Sequence, residues 1–270
     1  MKVCPICNHK NFSLVFKYLK PPSAEIIFNA YSDVKYERKI LSCDFCSHFI
    51  SENSFKYKDI YRNDFVTSNY QDEEGIIKKF NQIISLSPIK SDNFFRTERI
   101  KHFVLNYFKN IITNLKILDI GSGLCVFLYR MNQLGFDCTA LDPDIRSINH
   151  AIKNIGIKGI HGDFMEINNI GKFDIITFNK VLEHVKSPVS MLAKAKSFIK
   201  KNGLIYIEVP DGEIASKYGK DREEFFIDHI HVFSFSSLNL LIRKAGGTPL
   251  SVERIKEPSG KYTLFSFITK

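Results

Sequence analysis

Ile117-Leu118-Asp119-Ile120-Gly121-Ser122-Gly123-Leu124 is the stretch that decides the fold. A short apolar run with one carboxylate in it passes into a G-x-G turn, and helical sequence resumes behind the turn. Glycines at such a strand end let the backbone approach a ligand closely. A lone G-x-G is weak evidence of any one ligand. The full dinucleotide fingerprint needs a third glycine, and position 126 is Val. That disfavours a dinucleotide oxidoreductase.

Working outward, strand and helix patterns alternate. Strands are expected at 116–120, 137–141, 157–161, 173–179 and 204–209, and helices at 124–134, 144–154 and 189–200. Gly203 reads as the stop of the helix at 189–200. A further helix at 236–245 ends at Gly246-Gly247, and 249–254 and 262–268 read as closing strands. Such alternation gives an α/β fold, a mostly parallel sheet with helices on both faces. Upstream, residues 96–110 place Ile100, Phe103, Val104, Tyr107, Phe108 and Ile111 at helical spacing. Three regions result: 1–55, a small module; 56–112, a helical linker or lid; and 113–270, the main domain. The sequence shows no internal repeat and no low-complexity segment.

The front module carries Cys4-Pro-Ile-Cys7 and, after 35 intervening residues, Cys43-Asp-Phe-Cys46. Two such knuckles supply the four thiolates of a tetrahedral structural zinc site. Strands are expected at 12–18 and 36–41, with Pro21-Pro22 breaking the chain between them. So small a module has too little core to fold unaided, and a metal staple is physically expected. Residues 1–10 do not look like a secretory signal, and no apolar run approaches the roughly 20 residues of a membrane span. A cytoplasmic location is the expectation, and there paired cysteines read as ligands before disulfides. Cys125 and Cys138 read as buried thiols.

The 270 residues carry a formal charge of +9. A basic balance suits anionic partners, or serves solubility alone. The lysines are scattered, with a short cluster at 194–201, and no basic tail suggests a nucleic-acid arm.

The stretch at 117–124 resembles the first motif of class I S-adenosylmethionine-dependent methyltransferases. Three further matches follow in order. They are Leu141-Asp142-Pro143, His161-Gly162-Asp163-Phe164, and Phe173-Asp174-Ile175-Ile176-Thr177-Phe178-Asn179 with Val181-Leu182-Glu183-His184-Val185 behind it. The resemblance implies a Rossmann-like, seven-stranded methyltransferase sheet. It implies that Gly121, Ser122 and Gly123 line the methionine part of the cofactor and that Asp119 helps hold its amino group. Asp142, with Pro143 beside it, would take the ribose hydroxyls. Asp163 and Phe164 would flank the adenine, and Asn179 would close the site near the methyl group.

With the cysteines in front, the chain is similar to zinc-containing sugar methyltransferases, among them deoxysugar C-methyltransferases. In those, an acidic residue followed by His lies in the active site, and Asp228-His229 falls there. The tyrosine and histidine that usually precede the pair are Phe226 and Ile227, and the chain ends at Lys270. O-methylation of a nucleotide-linked sugar, or of a capsule or lipopolysaccharide precursor, therefore suits it better than C-methylation. Zn2+ would be structural.

Methyl transfer from a sulfonium needs alignment above all, and an alcohol acceptor benefits from a general base. His229 and His231 are i, i+2 and would share one face of a strand, with Asp228 adjacent. His184 is a further candidate, and Tyr70 could offer a lid hydroxyl. Each has a plainer reading as a structural histidine or a packed tyrosine. No carboxylate trio for magnesium is visible. The competing function is a ribosomal-RNA methyltransferase with a zinc module, which the positive charge would fit. Against it, residues 1–55 lack aromatic and basic interleaving for RNA stacking. A vestigial zinc scaffold is disfavoured by the intact Asp119, Gly121, Gly123 and Asp142. The acceptor, the atom methylated and the oligomeric state are left open.

Overall fold

The computed structural model describes residues 2–26, 28, 36–53, 65–109 and 114–270. The front module is a meander of β1 (Phe12–Tyr18), β2 (Arg38–Cys43) and β3 (Phe49–Asn53), antiparallel throughout. Three helices follow: α1 (Phe65–Tyr70), α2 (Glu73–Ile84) and α3 (Asp92–Tyr107). Asp72 and Ser91 cap the last two, accepting from the amides of Gly75 and Phe94 at 2.8 and 3.1 Å.

The main domain runs β4 (Lys116–Ile120), α4 (Val126–Gln133), β5 (Asp137–Asp142), α5 (Ile145–His150), β6 (Lys158–His161) and β7 (Phe173–Asn179). It continues with α6 (Pro188–Ala195), β8 (Ile199–Pro210), α7 (Gly212–Ala215), β9 (His231–Val232), α8 (Phe235–Lys244), β10 (Thr248–Lys256) and β11 (Tyr262–Thr269). Seven strands form one sheet in the order β10-β11-β8-β7-β4-β5-β6. The five from β8 to β6 are parallel, and β11 and β10 close the far edge antiparallel. This is the Rossmann-like sheet expected.

Both faces of the sheet are covered, so its central strands read as continuous apolar runs. Ile117, Ile175 and Tyr206 face a cluster with Ile100 and Val104 of α3 and Phe127, Leu128 and Met131 of α4. Leu118, Ile176 and Ile205 face α6 and α8. That second cluster also takes in Cys4, Ile6, Cys43 and Cys46, so the front module is built onto the main core. A buried polar network fastens α3 to the sheet. Arg96 donates to both carboxylate oxygens of Glu208 on β8, at 2.9 and 2.5 Å, and Arg99 and the Tyr206 hydroxyl join it. Burial alone would raise the pKa of Glu208, but Arg96, Lys180 and Arg99 prevail and hold it well below the usual carboxylate range.

Three expectations need correction. The helix expected at 189–200 stops at Ala195, and residues 199–203 already belong to β8. Gly203 ends no helix. A Cβ there would meet Ile199 at 2.7 Å and the Asp174 carbonyl at 2.9 Å, so close strand packing requires glycine. The helix expected at 144–154 ends at His150 and continues as a π-helical turn over 151–155. The third concerns the boundary at residue 55, because the front module's sheet takes in a strand from the main domain. β9 is that fourth strand, pairing Ile50 with His231 and Phe49 with Val232. Ile111 and residues 56–64, read above as helix and linker, lie outside the described residues. Among the described residues, no helix is long and apolar enough to cross a membrane.

Candidate active site

The strand order reverses at β4, which has β5 on one side and β7 on the other. The crevice beyond the carboxyl ends of such strands is where ligands bind in open α/β sheets. β4 delivers Asp119 there, and Gly121 and Gly123 turn the chain with φ of 68° and 50°. The amides of Gly121 and Ser122 both donate to the Leu141 carbonyl, at 2.8 and 3.2 Å, tying the turn to β5. Gly121 has no room for a side chain, because a Cβ would lie 2.8 Å from Val181.

Asp119 is almost fully buried. Its Oδ1 accepts from the Thr177 hydroxyl at 2.6 Å and from the Asn179 amide at 2.8 Å, both on β7. Burial pushes its pKa up to about 7, against the pull of those two donors. Asp142 accepts from the backbone amides of Gly123 at 2.8 Å and Asp144 at 2.9 Å, and burial pushes it up to about 6. Pro143 follows it and accepts from His161 Nε2 through its carbonyl at 3.1 Å. Ser122 Oγ and Asn179 Oδ1 are buried with no hydrogen-bond partner among the described residues. Two carboxylates and two orphaned polar atoms around a glycine turn fit a ligand that carries a cation and hydroxyl groups.

Tyr70 is the last residue of α1 rather than part of a loop, and it packs with Ile76, Leu124 and Val126. Burial, and then the nearby Asp142 carboxylate, push its phenol up to about 12. Asp163 accepts from the Met165 amide at 2.8 Å. Phe164 departs from expectation. Its ring is buried in the core near Phe178 and Phe198, with centroids 6.2 and 5.7 Å away, so only its backbone is left to meet an adenine.

A cavity of about 360 Å³ begins one residue past Asn179. Lys180, Glu183, Glu224, Asp228 and His229 line it, and Ile26 of the front module helps close it. Lys180 takes a left-handed backbone (φ 60°) and donates to Thr263 Oγ1 at 2.7 Å. Burial lowers its pKa. His184 Nδ1 donates to the Asp228 carbonyl at 3.0 Å, His229 Nδ1 donates to the Glu224 carbonyl at 2.8 Å, and the two rings lie 4.9 Å apart. Asp228, His229 and His184 are thus brought together.

His231 is not with them. The strand begins only at His231, so His229 and His231 share no strand face. His231 is buried against His48 of the front module, with 3.1 Å between their ring nitrogens, and His48 reaches Ser237 of α8 at 3.3 Å. Burial brings His231 down to about 4. It joins the two modules through neutral rings.

The four cysteines converge. Their sulfurs all lie within 4.8 Å of one another, with Cys4–Cys46 at 3.7 Å and Cys7–Cys43 at 3.5 Å. Sulfurs at about 2.3 Å around a tetrahedral zinc would sit about 3.8 Å apart. The knuckles are built alike. Asn8 and Ser47, each just past the second cysteine, take φ of 67° and 53°, and their amides donate to the Cys4 and Cys43 carbonyls. The donor set fits zinc.

Sequence reasoning passed over Glu183 and Lys180. Both sit in the matched fourth-motif region, but nothing local shows that one is a buried carboxylate and the other a half-buried ammonium.

Residues 93–252, more than half of the chain, match the family described as "Methyltransferase domain". A ubiquinone biosynthesis O-methyltransferase from Colwellia psychrerythraea is 27% identical over 163 residues, covering 53% of this chain and 66% of that protein. The chain therefore spans just under two thirds of that relative's length. The fold is similar to that of Burkholderia thailandensis 1,6-didemethyltoxoflavin-N1-methyltransferase, whose structure holds S-adenosylhomocysteine. The TM-score is 0.57 at 17% identity, over 92% of this chain and 99% of that one. Magnesium protoporphyrin IX methyltransferase from Synechocystis PCC 6803 gives 0.57 at 12% identity, over 79% and 100%.

Proposed function

Because the chain belongs to the methyltransferase-domain family, we propose that it transfers a methyl group from S-adenosylmethionine to an oxygen of a sugar-containing acceptor. A nucleotide-linked sugar, or a capsule or lipopolysaccharide precursor, is the acceptor class. The observation that carries this reading is the continuity of the two sites. Asn179 touches Asp119 on the cofactor side, and the next residue, Lys180, lines the cavity. A volume of about 360 Å³ walled by carboxylates, a histidine and two lysines suits a hydroxyl-rich ring with an anionic substituent.

S-adenosylmethionine supplies a methyl group already activated by its positively charged sulfur, ready for in-line displacement by the acceptor oxygen. Asp119 is placed to pair with its amino group, Asp142 with the ribose hydroxyls, and Ser122 and Asn179 offer their orphaned oxygens. Asp163 and the Phe164 backbone stand at the adenine end. In the cavity, Asp228 and His229, with His184 packed against both, form the wall at which the acceptor hydroxyl gives up its proton. The four cysteines hold Zn2+ as a structural staple and keep the front module against that wall. The relatives named for ubiquinone biosynthesis bring a second acceptor class to the screen.

The test is methyl transfer to a panel of nucleotide-linked sugars with product mass analysis, beside calorimetry with S-adenosylhomocysteine. Folded protein that binds no S-adenosylhomocysteine would sink the cofactor assignment, and a panel without product would sink the sugar. His229→Ala should cut turnover and leave cofactor affinity nearly intact. Equal loss of both would make His229 structural.

A further inference from the structure

We propose that Glu183, His184 and His229 form a second metal site, distinct from the four cysteines, that holds a divalent first-row cation such as Mn2+, Fe2+ or Zn2+ at the acceptor pocket. One carboxylate oxygen and one ring nitrogen from each histidine come within 4.8 Å of one another. Two imidazoles and a carboxylate with further positions open is a donor set suited to such cations.

Three features go beyond proximity. First, Glu183 is fully buried, and neither of its carboxylate oxygens has a hydrogen-bond partner among the described residues. A carboxylate in that position is costly unless a cation or proton meets it. Lys180, three residues earlier, is near enough for its charge to act on Glu183, but its ammonium donates to Thr263 at 2.7 Å and lies 3.9 Å from Glu208, and it makes no hydrogen bond to Glu183. Second, both histidines are held by Nδ1 against main-chain carbonyls, His184 on Asp228 and His229 on Glu224. A carbonyl only accepts, so Nδ1 carries the proton in each of these bonds. Anchoring the far nitrogen in this way is how proteins orient metal-binding histidines. Third, main-chain bonds tie the ligand-bearing segments to each other. The Glu183 carbonyl accepts from the amides of Ile230 and His231 at 2.9 and 3.0 Å, which clamps the two ligand-bearing segments together.

The role assigned to the ion rests on the acceptor-pocket reading above. An acceptor hydroxyl in one of the open positions would be acidified by the cation and lose its proton to solvent. The imidazoles would then hold the ion rather than take the proton.

The test is titration of Mn2+ into the zinc-loaded, full-length protein, with the free ion followed by electron paramagnetic resonance. The four-thiolate site prefers zinc and does not compete for Mn2+. One Mn2+ per chain should bind. Glu183→Gln should weaken it about tenfold or more, by loss of the charged ligand, with the cysteine-bound zinc and the affinity for S-adenosylhomocysteine retained. Glu183→Asp, which keeps the charge, should recover part of the affinity and guards against a Glu183→Gln protein that fails to fold. If neither Mn2+, Fe2+ nor Zn2+ binds beyond the cysteine-held zinc, or if Glu183→Gln binds as the parent does, the site is overturned. Methyl transfer that persists with no second ion bound would strip this site of its role in the reaction and leave the acceptor reading standing. Mn2+ binding without any methylated sugar would do the reverse.

Discussion

Replacing Asp119 by Asn should make the protein more stable and a poorer binder of cofactor, and the size of the first effect should depend on pH. The carboxyl ionises at about 7 in the folded protein, against an ordinary value of 3.8. A folded-state pKa raised in this way means that folding disfavours the charged form. The parent's stability from this group is complete below about pH 4 and falls as pH rises to about 7, beyond which the loss is constant. Roughly three units at about 1.4 kcal/mol each give a full loss of about 4 kcal/mol. The Asp119→Asn variant escapes that loss and keeps the local bonds, because the Thr177 hydroxyl and Asn179 amide both donate to Oδ1, and an amide oxygen can accept in its place. Urea unfolding of the two proteins at pH 5, 6, 7 and 8 should show a gap that widens by about 1.4 kcal/mol per unit up to pH 7 and then levels. Cofactor affinity should fall about ten- to a hundredfold, the worth of one charge-assisted hydrogen bond. A gap that does not change with pH, or an Asp119→Asn protein less stable than the parent at pH 8, would refute the reasoning.

Two other expectations follow from buried groups. Arg96→Ala strands the fully buried Glu208 carboxylate and should cost about 3–5 kcal/mol in chemical denaturation, a loss of under about 1 kcal/mol showing that Arg99 and Lys180 suffice. Cys43→Ser/Cys46→Ser should lower the zinc content by one per chain relative to the parent in metal analysis and lower the thermal midpoint; a zinc content equal to the parent's would argue against the four-cysteine site.

The glycine turn was legible because its chemistry is local. Asp119, Gly121 and Gly123 lie within five residues, and their conformations follow from residue type. The parallel core was legible from its long apolar runs. Gly203 misled for a reason of the same kind. A glycine after an apolar helical pattern usually stops a helix, but here the crowding that demands it comes from Ile199 and the Asp174 carbonyl. β9 gave no signal at all, since two residues, His231 and Val232, find partners in Ile50 and Phe49 far back in the chain. His231 was for that reason placed beside His229 when it belongs beside His48. The cavity beside Asn179 was the least legible part, because its walls come from the front module, the segment after β7, residues 223–229 and the β10–β11 turn. α2 carries Ile76, Phe80 and Ile83 at helical spacing behind its Asp72 cap, a pattern present in the sequence but passed over.

The borrowed fourth strand has a consequence for the order of events at the ribosome. Ile50 leaves the tunnel about 180 residues ahead of His231, roughly 10–40 s at ordinary elongation rates. Through that interval the nascent meander has its four thiols but an open edge along Phe49 and Ile50. The thiols are present early, while the sheet stays incomplete until the segment bearing His231 has been made. Sealing that edge has to wait for the segment that bears His229 and His231, so a chain interrupted before that segment would carry its four thiols without the assembled cavity.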